Sequence, residues 1–172
     1  MRTALALTVI AFLGTGCSAF DFTIDQDTQE VVVQGDLNAF RAKLLLPKDI
    51  IPAMQIAYNL DREPNAIYAE SLTLNLTDTV PSAKKMTIPF SFVNQLVFYV
   101  QSTVKGSTLP KAPLAWIGPT GPGHSIPMTV DSSLDLLPYI REGFEVTSVL
   151  NGRVPAADLS FSGHIVLGVD VF

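Results

Sequence analysis

Cysteine is almost missing from this sequence of 172 residues, which carries one, at Cys17. A lone thiol excludes a disulfide within the chain, so packing must supply the stability. Histidine is nearly as scarce, with only His124 and His164, forty positions apart. A zinc site needs three or four donors brought together and would here have to lean on carboxylates. Cationic side chains are outnumbered, 11 Lys+Arg against 16 Asp+Glu, for a net charge of −5. That balance argues against a nucleic-acid partner or an anionic-lipid surface, both of which need cationic stripes. Past residue 22 no stretch is both long and apolar enough to span a bilayer. No motif repeats at a period of 20–50 residues, and no segment is of low complexity. The glycine-rich stretch Gly118–Gly123 neither opens a helix nor carries a lysine, so the mechanism of a phosphate-binding loop is missing.

What is present is most legible at the start. Arg2 supplies a positive charge, and from Ala4 to Leu13 every residue except Thr8 is apolar. Ten residues of helix reach about 15 Å, roughly half of what crosses a bilayer. A charged start, a short apolar centre and small residues beyond it describe an export signal. Leu13-Gly14-Thr15-Gly16-Cys17 closes that leader.

This closing stretch resembles the lipobox of bacterial lipoproteins, in which a peptidase cuts before the cysteine and the thiol takes a diacylglyceryl group. Gly16 and Thr15 suit the small positions before the cut, while Gly14 stands where the family usually has leucine. The resemblance covers the leader alone. It implies a signal peptide over 1–16, cleavage between Gly16 and Cys17, and a mature domain over 17–172. That domain would be held to a membrane through acyl chains such as palmitate on Cys17. Ser18 after the cysteine resembles lipoproteins sent on to the outer membrane, facing the periplasm. Ordinary signal cleavage after Ala19 is the competing reading and would leave a secreted or periplasmic soluble protein.

The mature chain would have 156 residues, enough for one domain with a sizeable core. Two-residue alternation dominates it. Strands are expected over Phe20–Asp25, Gln29–Val33, Met54–Leu60, Leu72–Thr77, Leu96–Val104, Leu114–Ile117, Ile126–Val130, Phe144–Leu150 and Leu159–Phe172. Helical turns are expected within 37–51 and over Leu134–Arg141, where Pro138 should force a break or bend. Pro89–Asn94 reads as a turn plugging one end of the core with Phe90 and Phe92. Asn151-Gly152 reads as the tight turn joining the last two strands. On the final strand Leu159, Phe161, Ile165, Leu167, Val169 and Val171 should share the inner face, with a bend or bulge at Gly163 or Gly168. The expected fold is all-β and mainly antiparallel. It should be a β-sandwich, immunoglobulin-like in architecture only, with one or two short helices; an open barrel is the alternative. In outline it resembles other envelope β-sandwich lipoproteins.

No arrangement of catalytic residues stands out. His164 alternates with Asp158, Ser160 and Ser162 along one strand, at a spacing too wide for adjacent members to hydrogen-bond. Asp21, Asp25 and Asp27 have part of a calcium-loop spacing without its glycine or its terminal glutamate. The sequence therefore points to a protein that is not an enzyme, with no cofactor and no metal. It is expected to be a binding or structural accessory module, partnered by the membrane and by an envelope assembly. Its contact surface is expected around Trp116, His124 and Tyr139, or at a strand edge. The alternative is a carrier of an apolar ligand or lipid with a hollow interior. An envelope hydrolase is a third class.

Overall fold

The computed structural model describes residues 22–28, 30–33, 64–77, 90–120, 123–153 and 158–171. Among them eight strands and one helix form: β1 (Phe22–Asp27), β2 (Val31–Val33), β3 (Ala66–Leu76), β4 (Val93–Ser102), β5 (Ala112–Ile117), β6 (Ser125–Val130), α1 (Leu137–Glu142), β7 (Phe144–Gly152) and β8 (Leu159–Asp170). The fold is all-β, and every strand pair is antiparallel. Seven strands follow one another in the order β1-β8-β3-β6-β5-β4-β7, and β2 also pairs with β8. The two sheets expected from the sequence are thus joined in one open, hydrogen-bonded path.

The join is made by β6. Its first half pairs with β3, from Asn75↔Ser125 to Leu72↔Met128. Its second half pairs with β5, through Trp116↔Thr129 and Ala115↔Val130. Pro127 lies between the halves. The Leu76 amide donates to the His124 carbonyl and the Asp131 amide to the Leu114 carbonyl. By alternation these bonds aim the nitrogen of Pro127 away from β3, toward the side where β5 pairing has ended. A residue with no N–H is tolerated there because no acceptor stands opposite.

The core gathers inward residues from the whole path. Leu72 and Leu74 of β3, Leu96 and Phe98 of β4, Leu114 of β5, and Leu159, Phe161, Ile165 and Leu167 of β8 are all fully buried. Each such side chain contributes roughly 1.5–3 kcal/mol through burial. Phe90 and Phe92 are buried as expected, with Phe90 edge-on to Phe161 at 6.2 Å between centroids. The inner face of β8 is likewise as the alternation indicated.

Three expectations are corrected. Asn151-Gly152 does not turn β7 into β8: both residues belong to β7, which pairs with β4, whereas β8 pairs with β1, β2 and β3. Pro138 does not break the helix; it occupies the first turn, where its missing N–H has no intrahelical acceptor. The irregularity expected on β8 lies on its partner, where Glu70 is the extra residue between Ala69↔Leu167 and Ser71↔Val166. The helical turns of 37–51 and the strand Met54–Leu60 lie outside the described residues.

Candidate functional site

Strand register decides which outward side chains meet. On β4 the even positions Leu96, Phe98 and Val100 are buried, so Val97 and Tyr99 point to the opposite face. Val97 stands directly between Val149 of β7 and Trp116 of β5, and Trp116 stands opposite Thr129 of β6. The next row holds Thr147, Tyr99 and Pro113. Trp116 keeps 39% of its surface exposed and Val149 keeps 54%, high values for large apolar residues within strands. Lys111 Nζ sits 5.0 Å from the Tyr99 ring centroid, a cation over an aromatic face. The Thr147 hydroxyl is buried beside this row without a hydrogen-bond partner among the described residues. The polar margin includes Gln101, whose side-chain amide donates to Glu145 at 2.6 Å.

An adjacent row, on the other half of the sheet, has different chemistry. Asp27, His164, Thr73 and Pro127 stand side by side across β1, β8, β3 and β6. His164 Nδ1 lies 2.9 Å from Asp27 Oδ1 and Nε2 lies 3.6 Å from Asp25 Oδ1. Both carboxylates are on strand β1, not in a loop. Ser125 donates to the Asn75 side chain at 2.8 Å in the following row. The row on β7, β4 and β5 is therefore aromatic and apolar, and the row across β1, β8 and β3 is polar.

Of the residues named from the sequence, Trp116 is on this apolar face. His124 is exposed but lies five positions along β6 from Thr129, roughly 16 Å from the Trp116 row. Tyr139 is buried, and its hydroxyl donates to the Pro110 carbonyl at 2.8 Å; burial pushes its phenol above the ordinary tyrosine value. The structure brings none of these three together. Gly16 and Cys17 lie outside the described residues. Ser160, expected on the outer face near His164, is fully buried and accepts from the Thr77 hydroxyl at 2.7 Å. Val97, Tyr99 and Val149 belong to the apolar face and were not singled out by sequence. Their signal was alternation in which both phases of a strand are apolar, which reads equally well as a strand covered on both sides.

The core holds a void of about 10 Å³ under α1, between Val100, Leu114, Leu136, Tyr139, Ile140, Phe144 and Leu167. That is the scale of a single water. Among the described residues no group of three or more metal-ligating side chains converges, and no helix is long and apolar enough to cross a membrane. The class this fold defines is an antiparallel all-β protein, with one short helix among the described residues. No protein-family model and no curated protein matches the sequence.

Proposed function

We propose that this chain is a lipid-anchored lipoprotein of the bacterial cell envelope that acts without catalysis, as a binding or structural accessory module. The observation that carries the reading is the apolar row Val149–Val97–Trp116 on β7, β4 and β5, in which Val149 and Trp116 are exposed, while the row Asp27–His164–Thr73 on the other half of the sheet is polar. Exposed apolar patches with an aromatic centre and a polar margin mark contact surfaces. The anchor is supported by the leader and by the lone thiol at its end.

The finer architecture belongs to the same proposal. The sheet folds back so that two layers share one core, as in an immunoglobulin-like sandwich. Support comes from Leu167 of β8 lining the same void as Val100 of β4, and from the Phe90–Phe161 ring contact.

The test uses photo-crosslinking side chains placed one at a time in the full-length protein in its native envelope. Val149 and Trp116 should yield the same discrete adduct, and His164 should not. Identical adduct patterns from all three positions would sink the reading. Cys17→Ser should shift the protein from the membrane to the soluble fraction.

A further inference from the structure

The tether and the fold together say which end of the body meets the bilayer. Phe22, the first described residue, pairs with Val169, and Val169 pairs on its other side with Ile67. The Ile67 carbonyl accepts from the amide of Leu136, at the start of α1, at 2.7 Å. Tyr139 of α1 reaches the Pro110 carbonyl, and the Thr103 amide donates to the carbonyl of Gly143, just past α1, at 3.0 Å. The beginning of β1, helix α1 and the loop between β4 and β5 are therefore gathered at one end of the body.

Only five residue steps separate Cys17 from Phe22. They reach at most about 18 Å when fully extended. Strand β8, with 12 residues, is about 40 Å long, and the 9 residues of β7 span roughly 30 Å. An acyl anchor on Cys17 cannot let the far end, marked by Leu159 and Gly152, rest on the same bilayer while Phe22 stands a full strand length above it.

The near end offers chemistry suited to a lipid interface. In the β4–β5 loop, Val104 is 48% exposed, and Lys105 beside it is exposed too. An apolar side chain beside a lysine that can lift its charge to water fits the boundary between acyl chains and headgroups. The loop is held from behind. Glu142 Oε2 accepts from the hydroxyls of Ser102 and Ser107, each at 2.6 Å. The same hydroxyls accept from the amides of Val104 at 3.1 Å and Leu109 at 3.0 Å. The nearby Glu142 carboxylate, although exposed, is thus engaged by hydroxyls of the loop itself, and Val104 is presented on a fixed support.

We propose that the α1 end of the domain rests on the bilayer that carries the anchor, with the Val104–Lys105 loop as its lipid contact. The Trp116 face then stands to the side, clear of lipid and open to a partner. This inference rests on acylation of Cys17, so the test measures acylation separately.

Acylated full-length protein is reconstituted in phosphatidylcholine vesicles after introducing one cysteine at a time, by Lys105→Cys, Val149→Cys or Arg153→Cys. Cys17 is blocked by its thioether, so a spin label attaches only to the new thiol. Mass spectrometry reports the acyl chains. Accessibility to oxygen relative to a water-soluble nickel chelate should be several-fold higher for the Lys105 label than for the other two. Adding Val104→Asp should remove that difference while leaving the protein on the vesicles. Deeper immersion at Val149, or an aqueous label at all three positions of acylated protein, overturns the end-on orientation and leaves the anchor standing. An unacylated Cys17 overturns the anchor, and the orientation with it.

Discussion

The main-chain carbonyl of Phe92 occupies the space that any side chain on Gly152 would need. The same carbonyl accepts from the Arg153 amide at 2.8 Å, so it is held in place and has no room to retreat. Gly152 is thus required by close approach inside strand β7, not by a turn. Gly152→Ala should destabilise the protein by about 1–3 kcal/mol, the usual range for overpacking. Urea unfolding checks this, and an unchanged midpoint would contradict it.

Gly168 meets a softer obstacle. A Cβ there would come within 2.5 Å of Glu70 Oε1, at the far end of a flexible and exposed side chain. Glu70 is the extra residue of the β3 bulge, so its side chain lies across β8. Gly168→Ala should lower stability less than Gly152→Ala does. Combining it with Glu70→Ala should recover most of the loss, as a coupling of at least about 0.5 kcal/mol in a double-mutant cycle.

Thr28 closes the gap between β1 and β2. Its amide donates to the Gly163 carbonyl at 2.7 Å, and its hydroxyl accepts from the Gly163 amide at 2.7 Å. Thr28→Val keeps the shape, removes the acceptor and leaves a buried N–H unpaired. A loss of about 1–3 kcal/mol is expected. Hydrogen exchange at the Gly163 amide should accelerate, and full retention of its protection would refute the assignment.

Hydrogen bonds from the Ser102 hydroxyl, and then from Ser107, hold the Glu142 carboxyl below its ordinary value of 4.5. A depressed carboxyl adds stability above the ordinary value, and that stability is lost as the pH falls through the depressed one. Below pH 4.5 the β4–β5 loop should therefore loosen. The amides of Val104 and Leu109, which depend on the two serine hydroxyls, should lose protection relative to those of β8. Glu142→Gln should abolish this acid dependence. A wild-type loop equally protected at acid and neutral pH would argue against the linkage.

Alternation made much of the sheet legible, and the bulges mark where it failed. Leu72 and Leu74 were readable as an inward pair, but the strand begins six residues earlier, at Ala66. Inward residues there fall on odd positions, Ile67 and Ala69, and the extra residue Glu70 shifts the phase to even ones. Asn94 does the same in β4, between Val93 and Leu96. A pattern that reverses midway is read as two short pieces or missed, because periodicity is judged over a window longer than either piece. On the apolar face Trp116 stands out in the sequence as the only tryptophan, while no local pattern sets its neighbours Val97 and Val149 apart.

The sequence by itself determined the class of this protein, the inner face of its last strand and the aromatic plug at Phe90 and Phe92. Those follow from local alternation and the burial it demands, which one strand carries without knowing its neighbours. Only the tertiary structure decided that β7 and β8 have different partners, that Tyr139 faces inward, and that Val149, Val97 and Trp116 form one row. The partners of β7 and β8 come from distant parts of the chain, and their register follows from packing across the whole sheet, which no local window of residues contains.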